Sequence, residues 1–124
     1  MDWKLEVATI PVADLDRSKE FYEKKLGFNV DVDNDMGEAW RNIQFTPHGS
    51  GCSLAIGKGF DHGLQLVVSD IEAAHAELVS RGVETGGIVH FEGGAQKPGK
   101  GDGPYNSFFF FQDPDGNGWA VQEK

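Results

Sequence analysis

The chain has one cysteine, no long apolar run and few positive charges, and each of these shortages excludes a class of protein. Its single cysteine, Cys52, cannot form an internal disulfide, which is typical of proteins from a reducing compartment. No uninterrupted apolar stretch reaches the length that spans a bilayer. Eleven Lys and Arg against twenty Asp and Glu give a net charge of −9, which disfavours nucleic-acid binding. We therefore expect a cytoplasmic protein that binds neither membranes nor nucleic acids.

What the chain does contain is an internal repeat. Residues 10–16 resemble residues 66–72 at an offset of 56, and each copy continues through a helical pattern that ends at a glycine. In each copy an alternating apolar strand precedes the helix, and three more strands follow it. The 124 residues therefore predict one domain of the α+β class, with a βαβββ module in residues 1–58 and a second in residues 59–124.

The two helices have sequence signals at both ends. Asp14 is a suitable N-cap for the first helix, and Ser69 with Glu72 three residues later predicts a capping box for the second. Gly27 and Gly82 suit the position after the last turn, where the backbone becomes left-handed.

The strands that follow the helices are less sharply marked. They are predicted at residues 28–33, 39–46, 52–56, 83–91, 107–111 and 118–122. Residues 108–111 are apolar at every position, which predicts a central strand buried on both faces. The glycine-rich segment Gly93–Gly103 predicts a long loop, either functional or mobile. With one helix outside each module, the other sheet face is expected to form a half-open, eight-stranded cup that suits a small ligand.

Two local sequences and the duplicated pattern together resemble the vicinal-oxygen-chelate superfamily, which includes glyoxalases, bleomycin-resistance proteins and extradiol dioxygenases. The first sequence is IPVADLDRSKEFY at residues 10–22, followed by LGF at 26–28, and the second is FQDPDGN at 111–117. The similarity covers nearly the whole chain. It implies the cup fold and a homodimer, since members commonly pair, with modules that join within one chain or between two. The same fold carries isomerases, dioxygenases, epimerases and drug-sequestering proteins, so it does not fix the activity.

The resemblance also implies positions for a divalent metal, held by His, Glu or Gln side chains. Two of these positions fall seven residues before the aspartate of each helix, and here they hold Val7 and Gly63. The third, after the FQDPDGN turn, is Ala120, and the fourth lies within residues 53–56, which contain no carboxylate or imidazole. Because these residues offer no suitable donor atoms, we expect no metal and no cofactor.

The four histidines provide no obvious substitute. His62 is one residue from the Gly63 position, and a one-residue step along a strand turns a side chain to the opposite face. His48 lies in a turn, His75 on a helix and His90 beside the long loop. We expect structural roles for all four, although a bulge at His62 or His90 would bring either into the cup.

The cup is instead expected to be lined by uncharged polar and aromatic side chains. Thr9, Gln65 and Gln122 share strand faces with the empty metal positions, and amides and hydroxyls orient a ligand without transferring protons at neutral pH. Aromatic surface is expected from Trp40, Phe45 and Tyr105. These six are the predicted ligand-binding residues, and no residue is singled out as catalytic.

Three functions remain open from the sequence. The first is a metal-free protein that binds a small hydrophobic or cationic compound, in the manner of bleomycin-resistance proteins. The second is an enzyme, such as a glyoxalase-like lyase or isomerase or a dioxygenase-like protein, with an atypical or metal-free site, which requires an ionisable group in the cup. The third is an accessory dimeric protein whose cup is vestigial. The missing donors and the acidic charge favour the first.

Overall fold

A computed structural model of this chain describes residues 2–35, 41–58 and 63–124. The chain divides into two compact units, an amino-terminal unit of residues 6–61 and a carboxy-terminal unit of residues 62–124 with residues 1–5. The described residues form two α-helices, one π-helical turn and nine strands, so the fold is mixed α+β, as predicted. Neither of the described helices combines the length and apolar composition that crossing a membrane requires.

The amino-terminal unit contains a helix that covers one side of four strands. Its elements are β1 (Lys4–Thr9) from residue 6 onwards, α1 (Leu15–Glu20), a π-helical turn (Phe21–Lys25), β2 (Asn29–Asp35), β3 (Arg41–Thr46) and β4 (Ser53–Lys58). The strands follow the order β2-β3-β4-β1, with β1 parallel to β4 and the other pairs antiparallel. Ile43, Phe45 and Ile56 are fully buried on the covered side, where Tyr22 and Phe28 pack against them. Within the described residues of this unit, no helix lies on the other side of these strands.

The first helix begins as predicted and then widens. The side chain of Asp14 accepts a hydrogen bond of 3.1 Å from the backbone N–H of Arg17. A π-type bond of 3.0 Å joins the N–H of Leu26 to the carbonyl of Phe21, and Gly27 follows with a left-handed φ of 73°. The stretch from the capping aspartate to the final glycine is one residue longer here than in the second module. The wider turn accommodates that additional residue.

The carboxy-terminal unit also has a helix that covers one side of its strands. Its elements are β5 (Leu64–Val68), α2 (Ile71–Ser80), β6 (Val89–Glu92), β7 (Ala95–Pro98), β8 (Phe108–Gln112) and β9 (Gly118–Glu123). They follow the order β5-β9-β8-β6-β7. The buried core combines Ile71 and Ala74 of α2 with Val68, Phe109 and Val121 of the strands. Helix α2 therefore covers the side on which Phe109 lies.

The N-cap of α2 is Asp70 and not Ser69, so the predicted capping box with Glu72 is wrong by one position. The Asp70 side chain accepts a 3.1 Å bond from the backbone N–H of Ala73, and its backbone is extended with φ of −143°. Carboxylates cap helices as well as hydroxyls do, and the repeat offset of 56 aligns Asp70 with Asp14. The predicted end is confirmed, because Gly82 has a left-handed φ of 88°.

The predicted loop Gly93–Gly103 contains a strand, which makes nine strands among the described residues instead of the expected eight. β7 pairs with β6 so that Glu92 lies opposite Ala95, and only Gly93 and Gly94 connect them. Both glycines have positive φ values, 58° and 79°, as a two-residue hairpin turn requires. The strand predicted at residues 83–91 is also shorter, since β6 begins at Val89, after Gly87 with φ of 88°.

Candidate functional site

The helix-free side of the carboxy-terminal unit brings together amide and aromatic side chains. Residues alternate between the two sides of a strand, and the register aligns Gln65 with Ala120, Gln122 with Phe108, and Phe108 with Val89. Since Phe109 lies on the α2 side, these positions lie on the other. We call this surface the amide–aromatic face and define it by Gln65, Val67, Val89, Phe91, Phe108, Phe110, Ala120 and Gln122.

Two glutamines of this face are joined in a hydrogen-bonded chain. The Nε2 of Gln65 donates to Oε1 of Gln122 over 2.7 Å, and the Nε2 of Gln122 donates to the backbone carbonyl of Tyr105 over 2.9 Å. A carbonyl oxygen only accepts, so the Tyr105 carbonyl fixes the direction of both amides. The chain therefore has an acceptor, Oε1 of Gln65, at its outer end, and none of the described residues donates to it.

A row of three phenylalanine rings lies beside the glutamines. The Phe91 and Phe108 rings meet edge to face with centroids 5.4 Å apart, and the Phe108 and Phe110 rings are parallel at 6.1 Å. Phe91 is 40% exposed, and Phe108 and Phe110 are half-buried. The prediction that residues 108–111 are buried on both faces is wrong: of the four, only Phe109 is fully buried. The rings of this row offer partly accessible aromatic surface.

Tyr105 approaches this face through its backbone. It is the one described non-glycine residue with a positive φ, 61°, and its side chain is exposed. Its N–H donates to the carbonyl of Glu123 over 3.0 Å, while its own carbonyl receives the Gln122 amide. A positive φ strains a non-glycine residue and persists only where the surrounding structure compensates the strain. Residues of this kind cluster at functional sites. Of the six predicted ligand-binding residues, the structure brings together Gln65, Tyr105 and Gln122.

The other three predicted residues lie elsewhere. Phe45 is fully buried against Tyr22, with ring centroids 5.5 Å apart, which gives it a core role in place of the expected ligand contact. Thr9 is half-buried on the helix-free side of the amino-terminal unit, beside Ala55 of β4. Trp40 lies outside the described residues. On the same side as Thr9, the hydroxyls of Thr46 and Ser53 are 2.7 Å apart.

The positions that the family resemblance assigns to a metal do not fit one. Val7 and Ala120 are buried on the helix-free sides of their units, and Gly63 has no side chain. Within residues 2–35, 41–58 and 63–124, no three His, Cys, Asp or Glu side chains form a group that could hold a metal ion. We therefore derive no chemistry through a metal at these positions.

Two of the three described histidines, His75 and His90, make local structural contacts. His75 is 2.7 Å from the Thr85 hydroxyl, and its ring meets Phe109 edge to face. His90 bonds to Glu92 and to the Gly99 carbonyl, and His48 is exposed in a turn. His62 lies outside the described residues.

The main charge cluster of the amino-terminal unit is separate from its helix-free side. Arg41 contacts Asp33 at 3.2 Å and Asp16 at 2.9 Å, and Lys19 contacts Asp33 at 3.0 Å. Hydrogen bonds from Arg41 and, to a smaller extent, from Lys19 lower the pKa of Asp33. The same hydrogen bond to Asp33 raises the pKa of Arg41. Since Asp16 is on α1, the cluster joins the helix to β2 and β3. Its role is structural.

The fold, the duplicated helix caps and the helix-free sides define a protein of the glyoxalase type. Residues 4–121 match the Glyoxalase/Bleomycin resistance protein/Dioxygenase superfamily, and the chain belongs to this superfamily. No curated protein matches the chain.

Several solved structures resemble the chain. A methylmalonyl-CoA epimerase from Mycobacterium tuberculosis is 20% identical with a TM-score of 0.71, over 96% of this chain and 86% of that one. A hypothetical protein from Bacillus halodurans is 16% identical with a TM-score of 0.71, over 100% and 96%. An antibiotic-binding protein from a Streptomyces species is 28% identical with a TM-score of 0.41, over 97% and 94%. The first two likenesses show the fold alone.

Proposed function

We propose that this protein binds a small, flat, hydrophobic or cationic compound on the amide–aromatic face, without a metal. The observation that carries the proposal is the chain from Gln65 through Gln122 to the Tyr105 carbonyl, next to three partly accessible phenylalanine rings. Ligand sites commonly combine apolar and aromatic surface with a few fixed polar groups that orient the bound molecule. This surface has that composition.

Three features favour a cationic ligand with N–H donors. The outer end of the amide chain is the Oε1 acceptor of Gln65, which suits a donor on the ligand. The faces of aromatic rings attract cations, with a contribution of about 0.5 to 2 kcal/mol that depends on desolvation. The net charge of −9 adds a long-range attraction for cations.

The composition of the face favours binding over proton transfer. Its eight defining residues are apolar or carry amides, and none of them titrates near neutral pH. A lyase or isomerase of the glyoxalase type would need an acid or base within reach of its substrate. Among the described positions of this face, no such group is present.

A titration with ethidium tests the proposal. Ethidium is a flat aromatic cation with amino donors, and its charge is permanent; its neutral parent phenanthridine serves as the comparison. We expect ethidium to bind more tightly than the parent, and Phe110→Leu to weaken ethidium binding about 2- to 30-fold, the range of a cation–π contact. Phe111→Leu is the matched control, because that ring stacks on Trp119, 5.9 Å away, on the α2 side. Gln122→Leu should also weaken binding, because it interrupts the amide chain.

Three outcomes contradict the proposal. The first is equal weakening by Phe110→Leu and Phe111→Leu, and the second is no binding of either compound in the millimolar range. The third is stoichiometric binding of nickel, zinc, manganese or iron(II) to the untagged apo protein in a calorimetric titration, which would favour the enzyme instead. Because members of the superfamily commonly pair, we further propose a cytoplasmic homodimer. A monomer in sedimentation equilibrium at micromolar concentration would refute the dimer.

A further inference from the structure

Residues 99–107, which we call the strap, connect the β6–β7 hairpin to β8. Hydrogen bonds hold the strap against β6. The amide of Asn106 forms two bonds with the backbone of Phe91: its Oδ1 accepts from the Phe91 N–H at 2.9 Å, and its Nδ2 donates to the Phe91 carbonyl at 3.0 Å. At the other end of the strap, the Gly99 N–H donates to the Ile88 carbonyl over 2.8 Å. Asn106 thus supplies the backbone hydrogen bonds that a neighbouring strand would otherwise make to Phe91. The ring of Phe91 belongs to the amide–aromatic face.

The strap is also closely packed against itself. The Gly101 N–H donates to the Ser107 hydroxyl over 3.1 Å, and Ser107 is 1% exposed. A Cβ at Gly101 would lie 2.2 Å from the Asn106 carbonyl and 2.8 Å from the His90 Cβ. Tyr105, inside the strap, presents the carbonyl that orients Gln122. The strap therefore positions two parts of the proposed ligand surface, the Phe91 ring and the glutamine chain.

One ring nitrogen of His90 contacts the strap, and the other contacts Glu92 on the same strand. Its Nδ1 is 2.9 Å from the Gly99 carbonyl, and its Nε2 is 2.9 Å from the Glu92 carboxylate. A carbonyl and an ionised carboxylate only accept hydrogen bonds, so a protonated ring can donate to both. A neutral imidazole has one N–H and can donate to only one of them. Protonation also makes the bond from Nδ1 to the Gly99 carbonyl charge-assisted and therefore stronger.

The charges around His90 act in both directions. Glu92 on the same strand and Asp102 in the strap favour the charged ring, whereas Lys97 lies directly opposite on β7. The ammonium of Lys100, also in the strap, faces Glu123 at 3.3 Å and Glu72 at 3.8 Å. The hydrogen bond to Glu92, followed by that to Gly99, raises the pKa of His90 above its ordinary value of about 6.5.

We propose that protonated His90 is a positioning residue that holds the strap against β6, so that the amide–aromatic face binds its ligand more tightly with the ring charged than neutral. The folded protein favours the charged ring. The contribution of the charged ring to the attachment of the strap is therefore complete below about pH 6.5 and is lost as the pH rises through the raised pKa of His90. The effect on affinity depends on the proposed function, but the attachment of the strap is a property of the free protein.

Amide hydrogen exchange in the free protein tests the attachment. Protection of the Phe91 and Gly101 amides, corrected for intrinsic exchange, should fall as the pH rises, together with the NMR titration of the His90 ring. Glu92→Gln keeps an acceptor but removes the charge, so both midpoints should move to lower pH. His75→Gln changes a histidine in the same unit and should leave the profile unchanged. Protection that does not vary while His90 titrates would overturn the inference.

Ethidium binding separates this inference from the proposed function. Because the charge of ethidium is permanent, a decrease in its affinity with rising pH reports on the protein. We expect wild-type affinity to fall about 2- to 10-fold across the His90 titration, and His90→Gln to bind weakly at every pH. Affinity that is independent of pH while protection follows His90 would overturn the link to binding. Absence of ethidium binding at every pH, with protection that still follows His90, would refute the proposed ligand and support the strap attachment.

Discussion

Replacing Gly101 with alanine places a methyl group where the structure has no room. The new Cβ would lie 2.2 Å from the backbone oxygen of Asn106, 2.8 Å from the His90 Cβ and 2.9 Å from the Asn106 Nδ2. Carbon atoms in contact are about 3.5 Å apart or more, so the backbone of the strap must move by about an ångström. Such overpacking costs about 1 to 3 kcal/mol. The Gly101–Ser107 bond adds about 1 kcal/mol, because the movement leaves a buried hydroxyl without its partner.

We therefore expect Gly101→Ala to lower the free energy of unfolding by about 2 to 4 kcal/mol, measured by urea denaturation. Gly86→Ala is the matched control in the same unit, since a Cβ at Gly86 would meet no atom within 4 Å and the backbone there has an ordinary φ. That substitution should be neutral or stabilise by up to about 1 kcal/mol. A Gly101→Ala variant within about 0.5 kcal/mol of the wild type would show that the strap is not packed as described.

Two further predictions concern the helix cap and the charge cluster. Asp70→Ala should lower the free energy of unfolding by about 1 kcal/mol, while Ser69→Ala should have almost no effect. Equal losses of stability in thermal unfolding would instead support the predicted capping box at Ser69. Arg41 and Lys19 lower the pKa of Asp33, so their contribution to stability is present above about pH 4 and is lost as the pH falls through that lowered value. Asp33→Asn should flatten this acid dependence in urea midpoints measured between about pH 3 and about pH 6, and an unchanged slope would contradict it.

Alternation and repetition account for the parts of the fold that the sequence predicted. The offset of 56 aligned Asp14 with Asp70 and located both helices, and apolar alternation located most strands. The β6–β7 hairpin was missed because its strands are only four residues long and β7 is fully exposed, so no apolar periodicity marks it. The two adjacent glycines, Gly93 and Gly94, were the available signal for that turn.

The candidate site was partly accessible to the same reasoning. Gln65 and Gln122 were predicted because they alternate with positions that the family uses, but their mutual hydrogen bond depends on the parallel register of β5 and β9, which no local pattern encodes. Phe45 and Trp40 were both predicted to line the cup, although they are separated by an odd number of positions on one predicted strand. Alternation places two such residues on opposite faces, so it already argued against that pairing. The same rule, applied within residues 108–111, would have separated Phe108 and Phe110 from Phe109.

The π-helical turn at Phe21–Lys25 has a consequence for how the two modules diverged. An extra residue carried through an α-helix rotates every later side chain by about 100°, which would turn Tyr22 and Phe28 away from the strands they cover. The wide turn confines the change to one loop of backbone, so Gly27 still ends the helix. Copies of one ancestral module can therefore differ in length inside a helix and still bury equivalent faces. Such turns are places where a duplicated fold tolerates insertion.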